Sequence, residues 1–251
     1  MTTATLLPAS VLNKLPAPHL SARYVHVDSG AVVQAMEAEG FQVASVQTSN
    51  RRNVTTAFSR HMIDFRHPDM PRVGDAVPRI VFVNSHDGST RASALAGVFR
   101  FVCSNGLVVG NTMYQEKLRH SGAAASTLVA RMQALAKNTA PLFTQIERWS
   151  RVDMSAARSR DFAQMAAQLR WQDAGRFEVE DLLQVRRPED DRGDLWTVFN
   201  RVQETTTQAS GLTGLTRTGR ITSARPLKEI GANLDYNSKL WELAEEFSTL
   251  T

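Results

Sequence analysis

Apolar and polar positions alternate along the first half of the chain, and apolar positions recur every three to four residues along the second. Residues 41–47 alternate, as do residues 56–65, and the polar run Asn50-Arg51-Arg52-Asn53 lies between them, which predicts a hairpin. Residues 81–83 and 94–109 predict two further strands on either side of Asp87-Gly88, a dipeptide suited to a tight turn, and Asn105-Gly106 breaks the second of them. Ahead of the strands, Asp28-Ser29 can cap a helix over residues 30–39, and Gly40 stands where a helix end favours a left-handed residue.

Residues 123–149 place Leu128, Met132, Leu135, Leu142, Ile146 and Trp149 on a helical stripe, which Pro141 should kink or divide. Further helical runs are expected over residues 155–171, 177–184, 195–204 and 237–250, the last with Leu240, Trp241, Leu243, Ala244 and Phe247 on one face. Residues 205–224, rich in Thr and Gly, show no stripe and read as an irregular excursion. The pattern predicts an α+β fold, an antiparallel β-meander packed on a long helix with a mainly helical C-terminal part. Its expected regions are an N-terminal arm (1–22), a β-meander and long-helix core (23–150), and a helical region packed on that core (151–251).

At 251 residues and 42% hydrophobic content the chain can bury a sizeable core. The formal net charge of +4 is small, but the positive excess lies in the first two thirds, so distribution matters more than total. Cys103 is the only cysteine, which excludes an intrachain disulfide and argues for a reducing compartment. Neither a signal-peptide pattern at the start nor an apolar run of membrane-spanning length is present, so a cytoplasmic location without membrane association is expected.

The histidines His61, His67, His86 and His120 lack the spacing of a zinc hydrolase, and the carboxylates Asp64, Asp75 and Asp87 read as turn and ion-pair residues. Residues 106–112 lack the Gly-Lys-Ser/Thr ending of a phosphate loop, and Cys103 sits among apolar residues where a thiol is inert. The reading is of a non-catalytic binding protein with no catalytic residue, no metal and no cofactor.

Basic residues give the stronger signal. Arg51 and Arg52 fall at one hairpin turn, Arg60 and Arg66 along the next strand, and Lys117 and Arg119 ahead of the long helix; these six are the candidate nucleic-acid contacts. Arg72, Arg79, Arg91 and Arg100 could extend the stripe. By strand parity Arg60, Met62, Asp64 and Arg66 share one face, which is expected to be charged and solvated. Tyr114, Phe58 and Phe65 are candidates to stack on bases, while Trp149, Trp171, Trp196 and Trp241 fall on helical stripes and are assigned to packing.

In residues 99–109, 195–204 and 237–244 the chain resembles the phage- and plasmid-encoded family numbered 932 among domains of unknown function, and Asp87-Gly88-Ser89 and Arg119-His120 also look like that family. The resemblance implies a mobile-element setting, where recombination, replication and defence evasion are frequent tasks. The layout of a short helix, an antiparallel meander and a long helix is also similar to the single-strand annealing proteins of the Rad52 and RecT/Redβ type, with no shared motif.

The expected function is therefore single-stranded DNA binding, with annealing or recombination as its purpose, by a homo-oligomer with a basic groove. The alternative is an anti-defence protein, anti-restriction or anti-CRISPR, that binds a host enzyme through acidic residues such as those of 178–194 with Glu242, Glu245 and Glu246.

Overall fold

A computed structural model describes residues 6–49, 55–70, 76–100, 108–109, 115–118, 125–137, 139–209 and 211–249, with the backbone alone at 99–100, 108–109, 115–118 and 125–126. Arg51, Arg52, Arg72, Cys103, Tyr114, Arg119 and His120 lie outside the described residues. The chain divides into two compact units: residues 1–72, 77–98 and 112–140 form the first, and residues 73–76, 99–111 and 141–251 the second. The first carries 13 Arg and Lys against 7 Asp and Glu, the second 16 against 18, so the positive charge is concentrated in the first.

In the first unit, strands β1 (Gln42–Thr48), β2 (His61–Arg66), β3 (Ala76–Asn84) and β4 (Ala92–Arg100) lie side by side in chain order. The β1–β2 and β2–β3 pairs are antiparallel, as the alternating pattern implies, and Asp87-Gly88 falls in the turn between β3 and β4. Gly88 takes φ +74°, which an L side chain adopts only at a cost. A short strand that the alternation does not announce, β6 (Gln115–Leu118), pairs antiparallel with β4, while β5 (Val108–Val109) belongs to the second unit.

Helix α1 (Ala9–Leu12) is a single turn in the N-terminal segment. That segment packs into the first unit instead of standing off as an arm: Val11 is fully buried, and the Ala17 amide donates to the His86 carbonyl at 2.8 Å. Helix α2 (Ser29–Ala38) starts where Asp28 Oδ1 accepts from the Ala31 amide at 3.0 Å, and Gly40 follows it at φ +86°. Its buried Val32, Val33 and Met36 join the core of the unit, and α3 (Ala125–Lys137) packs against it.

The second unit is mainly helical. Helix α4 (Ala140–Trp149) begins a new element beside Pro141, as expected of a proline in a helical stripe. It is followed by α5 (Ala156–Arg170), α6 (Val179–Leu182), α7 (Leu195–Gln208) and α8 (Ile230–Thr249), of which α5, α7 and α8 pack on one another. The core centres on Trp149, Trp196, Phe199 and Trp241, with Trp149 and Trp241 centroids 4.5 Å apart and Trp196 stacked on Phe199 at 11°. The tryptophans assigned to packing do pack.

Residues 205–224 are not an irregular excursion. Helix α7 runs through Thr205, Thr206 and Thr207, whose hydroxyls donate back to the carbonyls of Arg201, Val202 and Gln203 at 3.0, 2.7 and 2.7 Å. Back-bonding lets these β-branched residues be buried in a helix that their propensity alone would not predict. Beyond Ala209, strands β7 (Thr213–Leu215) and β8 (Ile221–Ser223) form a two-stranded ribbon.

Candidate nucleic-acid interface

The register of the sheet decides which basic residues can meet. Thr48, His61 and Asn84 form one row across β1, β2 and β3, and Ala92, which opens β4, pairs with Leu118, which closes β6. The end of β1, the start of β2, the end of β3, the start of β4 and the end of β6 thus fall at one end of the sheet. Arg60 enters β2 there, Arg91 enters β4 there, and Lys117, opposite Ser93, is one residue from the end of β6.

Arg60 is half-buried. Its Nε donates to Thr90 Oγ1 in the β3–β4 turn and its carbonyl accepts from the Ser49 amide at 2.8 Å, so one side chain links the start of β2 to the neighbouring turn. Arg91 is exposed beside it in sequence. The N-terminal segment lies over the same turn: Tyr24 donates from its hydroxyl to the Ser85 carbonyl at 3.0 Å, and the exposed Arg23 precedes it. Burial, with the nearby Asp87, pushes the Tyr24 phenol up to about 12. Asp87 is the acidic residue of the turn; burial would raise its carboxyl, but hydrogen bonds from Ser89 and Ser85 bring it below the usual range.

Beneath this end lies a buried polar network that sequence reading did not single out. Ser29, His61 and Asn84 are fully buried. His61 Nδ1–H donates to the Ser59 carbonyl at 3.1 Å, which leaves Nε2 as acceptor for the Ser29 hydroxyl at 2.8 Å, and Ser29 in turn accepts from Asn84 Nδ2 at 3.0 Å. Asn84 also donates to the Val27 carbonyl at 3.0 Å. Burial lowers His61 to about 4, so the imidazole is neutral near pH 7. Ser29, His61 and Asn84 are held away from solvent, and the network fixes helix, strands and turn relative to one another rather than presenting a nucleophile.

Arg66 does not join this group. It lies at the opposite end of β2, where its Nε donates to Gln42 Oε1 at 3.1 Å, and six residues of strand separate it from Arg60, roughly 20 Å. The face they share by parity is not the solvated one expected. Met62 and Asp64 are each only 7% exposed, and Arg79, 4% exposed, places its Nε 4.0 Å from Asp64 Oδ1. Both faces of β2 and β3 are covered, so parity sorted the side chains correctly while the assumption that the second face meets water failed. Burial pushes Asp64 up to about 6 despite Arg79, and burial lowers Arg79. Phe65 is fully buried and cannot stack on a base; Phe58 is half-buried.

At the Arg66 end lies a cavity of about 420 Å³ whose lining includes Glu39, Phe41, His67, Asp69, Met70 and Lys137. Its mixed charge gives it no preference for an anion. Among the described residues no three His, Cys, Asp or Glu side chains converge as metal ligands, and no helix is long and apolar enough to cross a membrane.

Comparison with known proteins agrees with the residue-level resemblance and adds no activity to it. The chain is 29% identical over 235 residues to the UPF0380 protein YfjQ of Escherichia coli strain K12, and 28% identical over 235 residues to the UPF0380 protein YafZ of the same strain. Each alignment covers 91% of this chain and 84% of the relative. No solved structure matches significantly. The profile of a domain of unknown function, DUF932, matches residues 18–241, and the chain belongs to that family.

Proposed function

We propose that this protein binds single-stranded DNA at the turn end of the first unit's sheet, acts there as a homo-oligomer without catalysis, and serves annealing or recombination in the cytoplasm. The observation that supports it most is the convergence of strand ends: Arg60, Arg91 and Lys117 enter or leave the sheet at one end. Arg51, Arg52 and Arg119, outside the described residues, remain candidate contacts on the sequence reading. A strand of nucleic acid presents regularly spaced phosphates, and cations drawn from several chain segments to one rim match that charge. The concentration of positive charge in the first unit points the same way. The mobile-element setting implied by the family resemblance makes annealing the natural use of such binding.

The anti-defence reading draws less support. Part of the acidic set it would use is engaged internally: Glu180 pairs with Arg160 at 2.9 Å, Asp190 with Arg187, and Glu245 with Arg148. Asp194 accepts from the Thr197 amide at 3.0 Å to cap α7. An array of carboxylates held by its own arginines is a poor imitation of nucleic-acid phosphate.

Binding of a labelled single-stranded oligonucleotide by the wild-type chain and by the double variant Arg51→Glu/Arg52→Glu tests the proposal. The variant is expected to bind more weakly and to lose about 1.4 from the slope of log affinity against log salt, at about 0.7 per phosphate contact. Equal affinity and slope would remove Arg51 and Arg52 from the site. Light scattering with and without the oligonucleotide tests the oligomer: a DNA-dependent rise in mass supports it, and an unchanged monomer rejects it.

A further inference from the structure

The β7–β8 ribbon in the second unit combines three properties. It is fixed at its root, exposed at its tip and free of acidic residues. The root is anchored by Gly214, which bridges Phe177; a Cβ there would lie 2.0 Å from the Arg176 carbonyl oxygen, so only glycine permits the approach. The Ala224 amide donates to the Leu212 carbonyl at 2.9 Å, the Leu227 amide to the Thr207 carbonyl at 2.7 Å, and Arg170 Nη2 to the Arg225 carbonyl at 3.1 Å. The tip is also ordered by its own bonds: Thr216 accepts through its carbonyl from the Gly219 amide and through its hydroxyl from the Arg220 amide, at 2.9 and 3.1 Å.

On this rigid ribbon Leu215 and Ile221 are cross-strand partners, 57% and 78% exposed, an unusual position for two large apolar side chains. Arg217 and Arg220 in the turn, and Arg225 and Lys228 beyond β8, are all exposed, and between Glu204 and Glu229 the chain has no Asp or Glu. The surrounding unit is slightly negative, with 16 basic and 18 acidic residues, so the positive charge of the ribbon is local. Glu178 and Glu229 are the acidic residues nearest in sequence to its anchoring segments. An exposed apolar pair flanked by cations suits a partner that offers phosphates on either side of a less polar interior. Two strands about 4.8 Å apart also fit within a major groove about 12 Å wide.

We infer that the β7–β8 ribbon is a second nucleic-acid contact that enters a groove of a duplex, with Arg217 and Arg220 on phosphates and Ile221 against the bases. This rests on the reading of the protein as a nucleic-acid binder, and it adds a duplex-holding element to a site for single strands. It gives an annealing protein a means of retaining the product it forms.

The test uses the full chain, a labelled duplex oligonucleotide and each of its single strands, with the ribbon variants Arg217→Glu/Arg220→Glu and Ile221→Ser checked by circular dichroism. The double variant is expected to bind the duplex roughly tenfold more weakly, with its salt slope lower by about 1.8, at about 0.9 per contact on B-form DNA. Ile221→Ser should weaken duplex binding without changing the slope, and neither variant should alter single-strand affinity. Wild-type duplex affinity and slope in the folded double variant would overturn the ribbon assignment alone. Failure of the wild-type chain to bind either probe would overturn the nucleic-acid reading and the ribbon with it.

Discussion

The Ser29 hydroxyl donates to His61 Nε2 across 2.8 Å in a fully buried site, joining the first turn of α2 to the first residue of β2. Because Ser29 also accepts from Asn84, its oxygen serves two partners, and its loss leaves two buried polar groups without their bond. Ser29→Ala is therefore expected to destabilise the protein by about 1–3 kcal/mol, read as a lower urea midpoint. A midpoint equal to wild type would mean that the network contributes nothing to holding the turn end of the sheet.

Two buried groups in the first unit give stability opposite pH dependences. His61 falls from an ordinary 6.5 to about 4 through burial, so between those values the unfolded chain holds more protons and stability rises with pH. Asp64 rises from 3.8 to about 6, also through burial, so between those values the native chain holds more protons and stability falls as pH rises. In the wild type these trends oppose one another from about pH 4 to 6. Asp64→Asn should expose the rising limb and His61→Gln the falling one, measured as urea midpoints across that window. Identical pH profiles for both variants would refute the assignment of the two groups.

Gly214 tests how the ribbon is seated. A methyl group would meet the Arg176 backbone at 2.0 Å, which cannot be relieved by turning a side chain. Gly214→Ala is expected to cost about 1–3 kcal/mol and to make residues 211–224 more sensitive to proteolysis. Unchanged stability and cleavage would show that the ribbon is not held by that contact.

A few element boundaries were legible in the sequence, those that a single residue enforces. Asp28 and Gly40 bracket α2, Gly88 turns β3 into β4, and Pro141 starts a new helix because these residues act through their own backbone. What depends on distant partners was not legible. Thr205 to Thr207 look like loop residues until their hydroxyls are seen bonding back along α7, and β6 is a strand because β4 is there to receive it. The Asp64 face reads as solvated until both sides of the sheet are found covered. The Ser29–His61–Asn84 network joins residues up to 55 positions apart, and no spacing rule connects them.

The candidate site was legible in part for the same reason. Arg60 and Lys117 fall at one end of the sheet, whereas Arg66 shares a face with Arg60 but not an end, a distinction that parity cannot make. Arg60→Glu/Arg91→Glu is therefore expected to weaken binding of a single-stranded oligonucleotide by roughly tenfold, and Arg66→Glu to leave it near wild type. Equal losses from both variants in an anisotropy titration would contradict the localisation to one end.

The most direct test of the whole account is the salt dependence of single-strand affinity for the wild-type chain beside Arg51→Glu/Arg52→Glu. A steep wild-type decline is expected, which the variant flattens by about 1.4 through the loss of two phosphate contacts. An affinity that is absent in the wild type, or indifferent to both salt and substitution, would contradict it.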